Sequence, residues 1–273
     1  MKYYVLSRGD QTSDELMERF HQLAAKNGMQ RDDLSPDIVV SIGGDGTLLQ
    51  AFHHFLDHLD HIAFVGIHTG HLGFYADWKP NELETLVELM SQSERASENK
   101  RVEYPLIEVE IHSGGQAKTY YALNECTIRG ARSTLVAQLC INGGLFEMFR
   151  GDGICISTPS GSTAYNKSLG GAIVHPALEA IQIAEMASIN NRVFRTLGSS
   201  ILLPKHHHCE IVLMNDQPMF ITVDHLPIEV NDLKSIRLRV AQQKVRFARY
   251  RPFPFWDRVK EAFIGSKHDG SPQ

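Results

Sequence analysis

Up to about residue 90, the apolar positions fall into short unbroken runs and longer stretches with a period between three and four. Tyr3 to Leu6 is a strand-length run. Leu16, Phe20, Leu23 and Ala24 then recur at helical spacing, which predicts a helix from about Ser13 to Asn27 with one face on a sheet. Gly28 suits the C-terminal cap of that helix, where left-handed backbone is common. Ile38-Val39-Val40-Ser41-Ile42 has the composition of a strand buried on both faces. After a run of glycines, Leu48, Leu49, Phe52, Leu56 and Leu59 predict a helix, Ala63 to Ile67 a strand, and Leu83, Leu86, Val87 and Met90 a further helix. Strand and helix in alternation predict an α/β N-terminal domain, a Rossmann-like open sheet.

Beyond residue 100 the period changes to two. Ile107, Val109 and Ile111 alternate with polar neighbours, and Leu135 to Ile141, Asn142-Gly143-Gly144 and Leu145 to Phe149 read as strand, turn, strand. Further strands are expected at Ile154 to Ser157, Glu210 to Met214, Met219 to Val223, Ile236 to Ala241 and Val245 to Tyr250, with helical interruptions at about Thr163 to Leu169 and Leu178 to Met186. The polar stretch Ser91 to Lys100 lacks periodicity and reads as a connector. The expected organisation is an α/β domain over 1–100, a β-rich domain over 101–250, and a tail over 251–273 whose helix, Phe255 to Phe263, packs back on the first domain.

The charge balance, 27 basic against 32 acidic side chains, leaves −5, so no global positive field would hold a nucleic acid. A hydrophobic share of 42% with 22% charged residues excludes disorder over most of the length. No window approaches the roughly 18 apolar residues of a membrane span, and the first residues lack a signal peptide's apolar region, so a cytoplasmic protein with no membrane partner is expected. Cys126, Cys140, Cys155 and Cys209 are too irregularly spaced for a zinc knuckle or a disulfide framework and read as reduced, buried thiols. His54, His58 and His61 share a face if their segment is helical, yet no carboxylate completes a known metal pattern. His206-His207-His208 reads as a solvated turn.

The candidate chemistry centres on Gly43-Gly44-Asp45-Gly46-Thr47, between the buried strand and a helix start, where glycines let the backbone approach a phosphate. It matches neither of the two commonest phosphate-loop fingerprints. Asp45 is the informative residue, because a carboxylate beside phosphates is unfavourable unless a cation intervenes or the carboxylate takes a proton, and both point to phosphoryl transfer. The alternative is an aspartate that merely caps the helix. Thr158-Pro159-Ser160-Gly161-Ser162-Thr163 adds neutral hydroxyl donors ahead of a helix, suited to a nucleotide, although such turns also cap helices.

Together with Gly66-Ile67-His68-Thr69-Gly70-His71-Leu72-Gly73-Phe74, Asn124-Glu125, and Gly151-Asp152-Gly153 running into Thr158 to Gly171, this order of motifs resembles the NAD kinases from about Val39 to beyond Pro176. The resemblance implies a β-sandwich second domain and transfer of the terminal phosphoryl group of ATP to the 2'-hydroxyl of the adenosine ribose of NAD, giving NADP, with Mg2+ as cofactor. It makes Asp45 the general base. Gly46, Phe74 and Tyr75 would line the dinucleotide pocket and Asn124 and Glu125 would hold adenine and ribose polar atoms. Ser160, Thr163, Ala164 and Ser168 match positions that contact the adenosine half, and Tyr165 would lay its ring on adenine or ribose. Arg150, Asp152, Ala187 and His225 match positions at a site completed by a neighbouring subunit, in a homodimer or homotetramer; read without the family, Arg150 is a strand-end residue, Asp152 a turn former and His225 a hairpin histidine. His68 and His71 stand where the family varies. No basic residue lies in the 43–47 loop, which shifts triphosphate binding onto backbone N–H groups and magnesium, with a helping basic side chain from elsewhere left open. Diacylglycerol and sphingosine kinases share the first motif, so a lipid kinase is the rival enzyme and a non-catalytic NAD or NADP sensor the rival binding protein.

Overall fold

The computed structural model describes residues 1–70, 73–92, 101–192, 195–214 and 218–265. The chain divides into two compact units, Met1–Glu103 with Val245–Gln273, and Tyr104–Lys244.

The first unit opens with β1 (Lys2–Ser7), α1 (Gln11–Lys26), β2 (Gln30–Arg31), β3 (Ile38–Gly43), α2 (Asp45–His54), β4 (Ala63–His68), β5 (Ala76–Trp78) and α3 (Leu83–Gln92). Its strands pair in parallel in the order β2-β1-β3-β4, with β5 beside β4. All residues of β3 and β4 are buried, which is why their sequences show no alternation. Phe20, Val40, Ile42, Val65 and Leu86 share one core. Asp10 caps α1 by accepting the Ser13 N–H at 3.2 Å, and Gly28 follows its end with a φ of 72°.

Helix α2 is shorter than its apolar spacing predicts: it stops at His54, and Leu56–His58 form a 3-10 turn that tightens the path to the buried Leu59. His54, His58 and His61 therefore lose their common helical face. His61 Nδ1 lies 2.8 Å from Asp60, and no group of three His, Cys, Asp or Glu side chains suited to a metal occurs among the described residues. Ser91 and Gln92 end α3, while 93–100 of the expected connector fall outside the described residues.

The remaining elements are β6 (Arg101–Ser113), β7 (Gln116–Ala122), β8 (Glu125–Gly130), β9 (Leu135–Ile141), β10 (Gly144–Gly151), β11 (Gly153–Ser157), α4 (Tyr165–Ser168), β12 (Ala180–Met186), β13 (Ile201–Pro204), β14 (His208–Leu213), β15 (Met219–Val223), β16 (Leu226–Ile228), β17 (Leu233–Ala248) and α5 (Phe255–Phe263). In the second unit one antiparallel layer runs β10-β9-β14-β17 with the β6–β7 hairpin, and the other runs β13-β12-β11-β8-β15-β16. Val109, Leu139, Ile211 and Ile236 from the first layer meet Ile128, Ile156, Ile183 and Ile221 from the second, which makes the unit a β-sandwich. The Asn142-Gly143 turn has φ values of 51° and 80°, as a tight hairpin requires.

Two expectations are corrected. Leu178 to Met186 is not helical: Ala180–Met186 is β12, paired on both sides by β11 and β13, and its burial on both faces erases the two-residue alternation that marks a strand. The strands expected at Ile236 to Ala241 and Val245 to Tyr250 are one, β17, which ends at Ala248 and whose polar middle at Gln242 and Gln243 is exposed; its end pairs in parallel with β4 at Phe247 and Phe64. All four cysteines are free thiols, and burial pushes Cys209 up to about 12, which keeps it unreactive. His206 and His207 lie in a turn before β14. No helix of the described residues is long and apolar enough to cross a membrane.

Candidate active site

Strand β3 ends at Gly43 and α2 begins two residues later, so the glycine loop delivers Asp45 to the first turn of the helix. A Cβ at Gly43 would collide with the Thr47 hydroxyl, which packs over the loop. The N–H groups of Asp45 and Gly46 have no partner among the described residues, since Thr47 and Leu48 are the first to bond back, to Gly44 O. That leaves a pair of unpaired donors at a helix N-terminus, an anion-binding arrangement. Arg8 rises against Gly43 from the end of β1, its Nε 2.6 Å from Asp10.

Asp45 does not cap its own helix. Its Oδ2 accepts the Phe74 N–H at 2.8 Å, and Oδ1 accepts the N–H groups of Tyr75 at 3.1 Å and Ala76 at 3.4 Å. Gly73 is required here because a Cβ would run into the carboxylate. An ionised carboxylate offers about four acceptor positions, so the three donors orient the group and leave Oδ2 one lone pair. Tyr75 contributes its backbone; its ring is buried, stacked 5.5 Å from Phe247. Phe74 packs at 6.2 Å on Phe255 and 5.6 Å on Phe263 of α5.

The C-terminal segment holds the same stretch from its carbonyl side. Arg258 donates to Gly73 O at 2.7 Å and Ala76 O at 3.3 Å, with burial lowering its pKa against the pull of Asp77 and Asp45. Arg249 pairs with Asp77 at 3.0 Å, both side chains buried, and Arg251 bonds Glu82 and Asp77 O while lying 4.1 Å over the Trp78 ring. His68 is buried, its Nδ1 3.0 Å from Gly70 O, so that nitrogen carries the proton; His71 lies outside the described residues.

In the second unit, most hydroxyls of the Thr158 to Thr163 segment are engaged internally. Thr158 Oγ1 donates to Leu123 O at 2.6 Å, Ser160 Oγ lies 3.2 Å from the same carbonyl, and Ser162 Oγ donates to Pro159 O at 2.6 Å. Thr158, Ser160 and Ser162 are buried, so their part is to fasten the 3-10 turn Ser160–Thr163 to Leu123 and Asn124. Gly161 sits directly on the Asn124 backbone, where a Cβ would clash. Thr163 and Ala164 are partly exposed, Tyr165 and Ser168 exposed.

Asn124 is buried at the head of β8, and beside it the Tyr165 N–H acts on the Glu125 carboxyl, opposing its upward shift. Burial first, and the charge of Asp224 second, push Glu125 up to about 8, so it carries a proton at neutral pH; its Oε2 is buried without a hydrogen-bond partner. The structure also gathers Arg150, Asp152 and Ala187: Arg150 O accepts from Ile189 N–H, Asp152 N–H donates to Met186 O, and Ala187 is left-handed at φ 45°. Tyr165 reaches this group through its hydroxyl, 4.0 Å from Met186 Sδ. His225 is exposed in the turn between β15 and β16.

Residues 10–95 match the ATP-NAD kinase N-terminal domain and residues 123–250 the ATP-NAD kinase C-terminal domain. NAD kinase 1 of Bacillus subtilis (strain 168) is 57% identical over 267 residues, covering 97% of this chain and 99% of the relative. This chain belongs to the NAD kinase family. NAD kinase 1 of Bacillus anthracis is 55% identical over 269 residues, covering 98% of this chain and 100% of the relative. An NAD kinase from Archaeoglobus fulgidus in complex with ATP shares the fold at a TM-score of 0.75 and 20% identity, covering 98% of this chain and 100% of that one. Yeast NADH kinase complexed with NADH does so at 0.79 and 19%, covering 100% of this chain and 89% of that one. NAD kinases are phosphotransferases with an alcohol group as acceptor, and neither the lipid kinase nor the sensor is favoured. For this NAD kinase family member, sequence reasoning missed Asp224 and Arg258, which act on backbone groups far away in the chain and carry no local motif.

Proposed function

We propose that the protein moves the terminal phosphoryl group of ATP to the 2'-hydroxyl of the adenosine ribose of NAD, giving NADP and ADP. The observation that carries this reading is the Asp45 carboxylate, fixed by three backbone donors with one lone pair of Oδ2 left over. That lone pair accepts the ribose hydroxyl and takes its proton as the new O–P bond forms and the bond to the ADP oxygen breaks. Fixed orientation is the main contribution, because the reacting atoms then need little rearrangement.

The unpaired N–H groups of Asp45 and Gly46, with Gly43, Gly44 and Thr47 shaping the loop, bind phosphate, and we assign Arg8 as the basic side chain that helps. Phe74 lies on the same segment as the Asp45 donors and lines the dinucleotide pocket. Tyr75 serves there through its N–H. Asn124 and Glu125 bind polar atoms of the adenosine, the protonated Glu125 as a donor. Thr163, Ala164, Tyr165 and Ser168 form its accessible wall over the frame made by Ser160. Arg150, Asp152, Ala187 and His225 serve a site shared with a neighbouring copy, in a cytoplasmic homodimer or homotetramer. The single acceptor position left on Asp45 Oδ2 is an oxygen donor of the kind Mg2+ takes. When bound, the ion would spread the charge of the transferring group, with Asp45 the carboxylate beside it.

Incubating the purified protein with NAD, ATP and magnesium, with diacylglycerol and sphingosine as control acceptors, tests the reading. NADP is the expected product; a phosphorylated lipid, or binding of NAD without turnover, would replace it.

A further inference from the structure

The Leu123-Asn124-Glu125 turn is held from two sides. On one, Thr158 Oγ1 donates to Leu123 O and the Thr158 N–H to Asn124 O at 2.8 Å. On the other, a single carboxylate collects three successive amides: Asp224 Oδ2 accepts the Leu123 N–H at 2.9 Å, and Oδ1 accepts those of Asn124 at 2.7 Å and Glu125 at 3.2 Å. The Asp224 N–H returns a bond to Glu125 O at 2.9 Å, and its backbone is left-handed at φ 53°. About 100 residues separate Asp224 from the turn, so nothing local keeps the two together.

We infer that Asp224 is a positioning residue for NAD recognition: its carboxylate gathers the amides of 123–125 and thereby aims the Asn124 and Glu125 side chains at the adenosine. This rests on the function proposed above. The carboxylate is suited to the task because hydrogen bonds to a charged acceptor are short and strong, and one ionised group can take three N–H donors that a neutral side chain cannot. A turn with this job must have its side chains in place before NAD arrives, since buried Asn124 has no room to search rotamers.

Asp224→Asn separates this role from plain structural support, because asparagine accepts left-handed backbone as readily as aspartate but turns an NH2 toward one of the amides. Calorimetry with NAD alone should show affinity reduced about tenfold, the worth of one charge-assisted hydrogen bond, with KM for ATP changed by less than about threefold. Asp224→Gly, which keeps the backbone conformation and removes every acceptor, should be weaker still. Unchanged NAD affinity, or equal losses toward NAD and ATP, would overturn the assignment. Amide hydrogen exchange gives a readout independent of substrate and of folding in the variants: in the wild-type protein without NAD, Leu123, Asn124 and Glu125 should exchange slowly, and fast exchange there would refute the positioning role. Slow exchange in a wild-type protein that binds no NAD would instead sink the proposed function while leaving the clamp intact.

Discussion

An asparagine at position 45 sets an amide NH2 against either the Phe74 N–H or the pair from Tyr75 and Ala76, so Asp45→Asn loses a charge and creates a donor facing a donor. Turnover should fall by more than about a hundredfold, NAD affinity should stay within a few-fold, and stability should drop by about 1–3 kcal/mol, read by denaturant unfolding beside steady-state kinetics. Loss of NAD binding in step with turnover would make Asp45 a structural carboxylate. Glu125 makes a second prediction, from pH. It faces Asp224 from the β15–β16 turn, Cys126 on its own strand, Cys155 on β11 and the Tyr165 N–H, and it titrates at about 8 in the folded protein against 4.5 as its ordinary value. A carboxyl raised on folding stabilises fully below 4.5, and that contribution is lost as pH climbs through 8. Glu125→Gln, a neutral mimic, should flatten the fall in stability between about pH 5 and about pH 9 measured by thermal unfolding, and should bind NAD at the alkaline end better than the parent. An unchanged profile would mean Glu125 is already ionised at neutrality. Asp45 stands out as a candidate in the sequence because a lone carboxylate among glycines conflicts with phosphate binding unless it does chemistry. Asp224 does not, since a hairpin aspartate has many ordinary reasons to exist and its three partners lie far away in the chain.

Among the elements, α5 matters more than its position at the end of the chain suggests. Arg258 from α5 bonds the carbonyls of Gly73 and Ala76, while Asp45 takes the N–H groups of Phe74, Tyr75 and Ala76, so one short segment is gripped on both of its polar edges. Arg258→Ala should therefore cost about 2–3 kcal/mol and lower kcat about tenfold with NAD affinity unchanged, checked by unfolding, kinetics and calorimetry. A loss of stability without any loss of kcat would confine the arginine to packing. The helical spacing of α1 and α3 and the alternation along β6 were readable because each buries one face and exposes the other. β12 was misread for the opposite reason, as neighbours on both sides and burial on both faces leave a run with no period. β17 reads as two strands in the sequence, since sequence cannot tell its exposed polar stretch at Gln242 and Gln243 from a loop.

At the scale of the whole molecule, a net charge of −5 gives no global positive field, but composition and charge say nothing about assembly, because apolar surface becomes visible only once the strands have faces. In the second unit Leu145, Phe146, Leu178, Leu197, Leu202 and Phe220 are each about half exposed. The shared site proposed for Arg150, Asp152, Ala187 and His225 makes assembly testable. If a neighbouring copy supplies His225 to the site that contains Asp45, then Asp45→Asn and His225→Ala inactivate different contributors to the same reaction. In a two-fold dimer mixed from the two variants, each mixed pair holds one site with both changes and one with neither, and random exchange makes half of all dimers mixed, so about a quarter of the parental activity should return. Exchange must be driven by mild denaturation and dilution, and followed by sedimentation to confirm that dimers or tetramers have reformed. Activity staying at the sum of the separate variants, or a sedimenting monomer with full turnover, would place all of these residues in the service of a single chain.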